Sequence, residues 1–298
     1  MLAALAAAGA GVAAAAEPGD AVALPLPYAG PLGGWSGIDV SPDGTRFFAV
    51  TDAGRLTSGR LLREGGTLVG MDAPPPRRLA GLRGQPTIQE SDDSEGIDVD
   101  WETGEVWISF EGFARLRRYA PPDMGAHWVP DVPTEFLPGH NRGFEALARD
   151  PAGDAYTLPE QPASGYGPMT VYPLYRLDSS SGAWEVAARL THDRDWLATG
   201  ADFGPDGAFY LLERRFLGVA FASRLRRFDL REGAGLLDGE EVWRSSLGRY
   251  GNLEGLGLWR DDEGHLRAVM VADDNHKRWQ RGQIVEVTLP LAPLKAQR

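Results

Sequence analysis

Five times along this chain the same order of residues recurs: a small or acidic residue, a glycine, alanine or other small residue, an alternating apolar run, and an acidic or glycine-containing turn. The copies are Ser36-Gly37-Ile38-Asp39-Val40 before Pro42-Asp43-Gly44, Glu95-Gly96-Ile97-Asp98-Val99 before Glu102-Thr103-Gly104, and Glu145-Ala146-Leu147-Ala148 before Pro151-Ala152-Gly153. Ala201-Asp202-Phe203 before Pro205-Asp206-Gly207 and Glu254-Gly255-Leu256-Gly257-Leu258 before Asp262-Glu263-Gly264 complete the set. Their starts at 36, 95, 145, 202 and 254 lie 50 to 59 residues apart, which is room for one four-stranded blade each. A unit of this size cannot cover its own apolar faces, so the copies must stack on one another.

After each turn a second apolar run ends in an acidic residue, at Asp52, Glu111, Glu160, Glu213 and Asp273-Asp274. Further runs with period-two alternation follow, such as Leu116 to Tyr119, Trp184 to Leu190 and Leu225 to Phe228, and no long amphipathic helix appears. The 38 Gly, 22 Pro and 9 Trp fit many short strands joined by turns. The predicted fold is therefore all-β, a propeller of five four-stranded blades. A sixth remains open if Gly54 to Gln89 hides another unit. The last unit is one strand short after Gln283 to Leu289, while Ala21 to Leu26 has no partner before it. Joining the two closes the ring and removes sheet edges. Residues 21–290 then form one propeller, with a polar tail over 291–298.

The apolar run from Leu2 to Ala16, followed by Glu17-Pro18, reads as the core and cleavage site of a secretory signal whose basic start is missing. Residues 1–16 are expected to be removed and the protein to be periplasmic or secreted. No other stretch is long enough to span a bilayer. The net charge of −12, with only two lysines, Lys277 and Lys295, argues against a nucleic-acid partner, which needs a basic stripe. With no cysteine there are no thiolate ligands or nucleophiles. A monomer is expected.

Because hairpin strands run antiparallel, the acidic residue that opens the first strand and the one that ends the second share one end of a blade. Around a ring, Glu95 with Glu111, Glu145 with Glu160, Asp202 with Glu213, Glu254 with Asp273, and Asp52 face one mouth of the central channel. So many carboxylates in one place require a cation, an arginine or raised pKa values. Hard oxygen donors favour Ca²⁺, with Mg²⁺ also possible. On this reading Glu95, Glu145, Asp202, Glu254 and Asp273 are metal ligands, Glu111, Glu160 and Glu213 are catalytic, and Arg142, Arg214 and His276 position a small anionic substrate. The plainer alternative for each carboxylate is a corner hydrogen bond to backbone.

The segments Asp93-Ser94-Glu95-Gly96-Ile97, Asn141-Arg142-Gly143-Phe144-Glu145-Ala146-Leu147, Ala201-Asp202-Phe203 and Asn252-Leu253-Glu254-Gly255-Leu256, with Asp273-Asp274-Asn275, resemble the phytase-like family. Its members are described as having esterase-like activity of phytase. The resemblance runs from about Leu32 to Leu289 and implies an exported propeller and a metal-assisted hydrolase of a phosphoester or related ester. Two other readings stay open, a non-enzymatic cell-envelope binding propeller with a structural cation, and a lactonase-like propeller enzyme.

Overall fold

The computed structural model describes residues 21–86, 93–111, 113–121, 123–136, 143–162, 171–232, 235–275, 280 and 282–291. The expected signal segment 1–16, most of the tail, and the candidates Arg142 and His276 lie outside the described residues.

The first strand, β1 (Val22–Pro25), stands apart from the four that follow it. Blade one comprises β2 (Trp35–Val40), β3 (Arg46–Thr51), β4 (Arg55–Glu64) and β5 (Thr67–Asp72), with the short β6 (Arg77–Arg78) added to β4. Blade two is β7 (Ser94–Asp100), β8 (Glu105–Phe110), β9 (Arg115–Ala120) and β10 (Gly125–Trp128). Blade three is β11 (Phe144–Arg149), β12 (Ala155–Pro159), β13 (Val171–Leu177) and β14 (Trp184–Thr191). Blade four is β15 (Leu197–Phe203), β16 (Phe209–Phe216) and β17 (Phe221–Phe228), then β19 (Glu240–Arg244), the short β18 (Leu236–Leu237) pairing back to β14. Blade five is β20 (Asn252–Arg260), β21 (Leu266–Asp273) and β22 (Gln283–Thr288).

Blade five takes its fourth strand from the other end of the chain. β1 pairs antiparallel with β22, Val22 opposite Glu286 and Pro25 opposite Gln283. Five blades are present, and residues 54–86, the described part of the region that left a sixth unit open, form the outer part of blade one. Among the described residues no helix is long and apolar enough to cross a membrane.

The alternating apolar residues face neighbouring blades. Trp35, Ile38, Phe47 and Leu61 of blade one pack with Trp259, Val269, Val271 and Ile284 of blade five, and a comparable cluster fills each of the other blade junctions. The glycines of the repeat answer a second demand, because the five inner strands crowd at the axis. A Cβ on Gly37 would lie 2.5 Å from the Glu95 carbonyl oxygen, on Gly200 2.4 Å from that of Glu254, and on Gly255 2.6 Å from the Ile38 nitrogen. Each glycine thus admits the inner strand of the next blade.

Candidate functional site

Every inner strand carries an irregularity in its pairing near its first residues, between Trp35 and Gly37, Ser94 and Ile97, Phe144 and Ala146, Ala198 and Gly200, and Leu253 and Gly255. A bulge of this kind re-aims the side chain it carries. The residues at the irregularities include Ser36, Glu95, Glu145, Thr199 and Glu254. The two hydroxyls are bound to the next blade, Ser36 Oγ donating to the Ser94 carbonyl (2.6 Å) and Thr199 Oγ1 to the Leu253 carbonyl (3.1 Å). The three glutamates converge on one mouth of the channel and shift one another's titration across it.

Glu95 is pushed well above the usual carboxylate range by burial and then by Glu145, Glu254, Asp93 and Glu111. Glu145 is likewise raised, by burial and Glu160, against the opposing charge of Arg214. Burial carries Glu254 up to about 8, with Arg214 opposing and Asp273 and Asp52 adding to the rise. Glu111 is raised to about 7 by burial and by Asp93. Oxygens of Asp93, Glu95 and Glu111 all lie within 4.8 Å of one another, and the Glu111 N–H donates to the Asp93 carbonyl at 2.8 Å. Gly143, from the Asn-Arg-Gly-Phe-Glu segment, is fixed by this corner, because a Cβ there would lie 2.0 Å from the Glu111 Cα.

On the other side of the mouth Arg214 joins three blades. Its Nη1 donates to Glu254 Oε1 (2.5 Å) and Asn252 Oδ1 (2.6 Å), and its Nη2 to Glu160 Oε1 (3.0 Å). Asn252 Nδ2 also donates to Glu254 Oε1 at 2.6 Å. Burial opposes the charge on Arg214, but Glu254, Glu160 and Glu145 outweigh it, so its pKa is raised and it remains a cation. Asp273 sits opposite Asn252 at the end of β21, and the Asp52 N–H donates to the Gly34 carbonyl at the same rim.

The structure therefore gathers Glu95, Glu111, Glu145, Glu160, Glu254, Asp273 and Arg214 at one mouth, with Asp52 beside them. Asp202 and Glu213 do not join them. Asp202 lies three residues past the irregularity of β15, at the opposite end, where one carboxylate oxygen accepts the Leu258 N–H of blade five at 2.6 Å. Asp39 and Asp98 occupy the same place in their blades and accept the N–H groups of Val99 (2.6 Å) and Arg149 (2.7 Å). These three aspartates fasten one blade to the next, beside a cavity of about 1050 Å³ that Trp101, Trp259 and Arg149 help to line. The corner hydrogen bond describes the contact Asp202 makes, burial and Asp98 hold its carboxyl above the usual range, and it stands apart from the glutamate mouth by three residues along the strand. Glu213 is completely buried within blade four and held by Arg224 Nε (2.8 Å) and by Arg226 Nε and Nη2 (2.7 and 2.9 Å). Its carboxylate is thus engaged in a buried ion pair with two arginines of β17 rather than joined to the glutamates of the mouth.

Asp93 and Asn252 enter the sequence reading only as part of the resemblance segments and not as site residues, although each stands two residues before a repeat glutamate. The misplacement of Asp202 was detectable. Asp39, Ala148 and Asp202 each precede by three residues the proline of their turn, Pro42, Pro151 and Pro205, which aligns Thr199-Gly200 with Ser36-Gly37.

A family model described as "Phytase-like: Esterase-like activity of phytase" matches residues 30–276. Among curated proteins none matches the chain. Among solved structures, a gluconolactonase from Xanthomonas campestris is 19% identical, with TM-score 0.49, over 93% of this chain and 92% of that one. A luciferin-regenerating enzyme is 11% identical, with TM-score 0.47, over 93% and 100% of the two chains. Hydrazine synthase of Kuenenia stuttgartiensis is 13% identical, with TM-score 0.45, over 84% and 79%.

Proposed function

The chain belongs to the phytase-like family, and from that premise we propose that it is an exported hydrolase of a phosphoester or related ester, dependent on a divalent cation held at the glutamate mouth. The observation that carries this reading is the convergence of Asp93, Glu95 and Glu111, whose oxygens come within 4.8 Å of one another. The donor set fits the ion. It is all carboxylate, and the charges that perturb Glu95 are those of Glu145, Glu254, Asp93 and Glu111. A cation would relieve that repulsion, and hard oxygen donors in an irregular arrangement suit Ca²⁺ better than Mg²⁺.

A divalent ion held by Asp93, Glu95 and Glu111 would polarise the ester oxygen and stabilise charge developing there. The remaining work falls to the chain's own groups. Glu145, read from the sequence as a ligand as Glu111 was read as catalytic, would here take a proton from the attacking water once the charge of the ion offsets the burial and the Glu160 repulsion that hold it protonated. As the water oxygen bonds to the phosphorus or acyl carbon, the ester bond to the alcohol breaks and the alcohol leaves with the proton that Glu145 took from the water. Arg214 pins Glu160 and Glu254, which keeps the far wall of the mouth fixed and its charge balanced.

The test is to strip the full chain with a chelator and add back Ca²⁺, Mg²⁺, Mn²⁺ and Zn²⁺ in turn. Thermal melting and hydrolysis of p-nitrophenyl phosphate, p-nitrophenyl acetate and a δ-lactone would be followed together. Turnover restored by a cation and abolished in Glu145→Gln is the expected result. A metal-dependent melting shift without turnover would assign the mouth to a structural ion in a binding propeller, and no response to any cation would remove the metal from the account.

A further inference from the structure

The floor of the glutamate mouth is polar, but the tip of the β16–β17 hairpin beside it is not. β16 outruns its inner neighbour: Arg214 pairs with Leu197, the first residue of β15, and Phe216 continues beyond it, paired only with Phe221 of β17. The hairpin tip is Phe216-Leu217-Gly218-Val219-Ala220-Phe221, six residues without a polar side chain. It is a defined turn, with the Leu217 N–H donating to the Ala220 carbonyl at 2.9 Å and Gly218 at φ 78°. Phe216 is 55% exposed, Leu217 46% and Val219 92%. Beside them, Leu247 is 52% exposed on the segment that leads into Asn252, and the Gly248 N–H donates to the Phe221 carbonyl at 2.8 Å.

This apolar rim is continuous with the candidate site by two routes. Phe216 follows Arg214 by two residues on one strand, so both side chains leave the same face with their Cα atoms about 7 Å apart. Arg214 reaches Glu254 and Glu160 in the mouth. Leu247 leads within the same connection to Asn252 and Glu254. Apolar side chains left in water beside a polar site mark a contact for ligand or partner. The net charge of −12 disfavours an anionic lipid surface as the occupant.

We infer that this rim receives the apolar arm of the substrate, so that the natural ester carries an alkyl or aryl chain bound over Phe216, Leu217, Val219 and Leu247 while its ester group lies at the glutamates. The inference rests on the hydrolase reading for its site and names the substrate class. Octanoate and acetate, the acids released from a long and a short ester, test it without turnover. Calorimetric titration of the calcium-loaded full chain with each should show octanoate at least about tenfold tighter, since each methylene taken out of water contributes a several-fold factor at full burial. In Phe216→Ser/Val219→Ser, whose melting temperature should fall by only a few degrees with the loss of the Phe216–Phe221 ring contact at 4.9 Å, that preference should shrink to within about twofold. Equal affinities for the two acids, no binding of either, or a preference that survives the double substitution would overturn the inference. So would a wild-type dimer that the double substitution makes monomeric, which would give the rim to a second copy of the chain. Hydrolysis of p-nitrophenyl octanoate and acetate reports on the other premise: an octanoate preference in binding without turnover of either ester retains the apolar rim and discards the hydrolase.

Discussion

At the scale of single residues, two acidic types divide the channel between them. Glutamates at the strand irregularities enter the mouth, and aspartates three residues later fasten blade to blade. Asp202→Ala should therefore leave the Leu258 N–H without its acceptor and cost about 1–3 kcal/mol, while calcium still raises the melting temperature as in the wild type. Glu95→Gln should do the opposite, abolishing the calcium-dependent shift with little loss of stability in its absence. Calorimetric melting of both variants with and without calcium checks the pair. Most of the glutamate set was legible in sequence because hairpin geometry places strand starts and ends together. Asp202 was misread because only its acidity was matched, whereas its distance from Pro205 places it with Asp39. Glu213 could not be separated from Glu160 by sequence, since both end a second strand. Arg224 and Arg226, which hold Glu213, come from β17, and their register against β16 exists only in the folded blade.

Among the elements, blade four differs most from its neighbours. Its inner strand offers Thr199 in place of a glutamate, its second strand sends Arg214 into the mouth, and its hairpin overhangs the rim. The buried Glu213 with its two arginines ties β16 to β17. Glu286 performs a similar task at the ring closure, held by Arg63 of blade one (2.6 Å) and Arg267 (2.8 Å) and accepting from Trp259 Nε1 at 3.2 Å. Glu213→Gln would leave buried Arg226 without its carboxylate and Arg224 with only the more distant Asp193 and Glu241, at 3.6 and 3.9 Å. A loss of about 3–5 kcal/mol in urea unfolding is expected. A folded, fully stable and merely inactive variant would instead return Glu213 to the catalytic set.

For the whole molecule, the crowding of carboxylates makes stability depend on pH. Unfolded glutamates titrate near 4.3, but in the fold Glu111 titrates at about 7, Glu254 at about 8, and Glu95 and Glu145 are raised as well. Above the unfolded value the native state holds more protons than the unfolded one, so stability falls as pH rises through the folded values. The metal-free protein should melt highest near pH 5 and lose melting temperature steadily to about pH 8.5. Saturating calcium should lessen that decline, leaving the share owed to Asp39, Asp98 and Asp202 at the other end, which burial also raises, because the ion replaces the protons at the glutamates and adds about 2.7 kcal/mol at one hundred times its dissociation constant. A metal-free melting temperature that rises over this range would show that the mouth is already compensated by the chain's own cations.

The sequence by itself determined the five repeats, their all-β character and the closure by β1, because each follows from a repeated local pattern and from the need to cover sheet edges, while the structure decided that no sixth blade lies between the first two repeats. It also determined that glutamates would meet at one mouth, since antiparallel pairing fixes which ends coincide. Only the tertiary structure decided which carboxylates entered. That choice depends on a one-residue irregularity at the start of each inner strand, which reverses the side to which a side chain points. It depends too on partners from distant segments, Arg214 for Glu160 and Glu254, Arg224 and Arg226 for Glu213, and the Leu258 N–H for Asp202. These contacts span from 11 residues, for Arg224 with Glu213, to 56, for Leu258 with Asp202, and no local pattern carries their register.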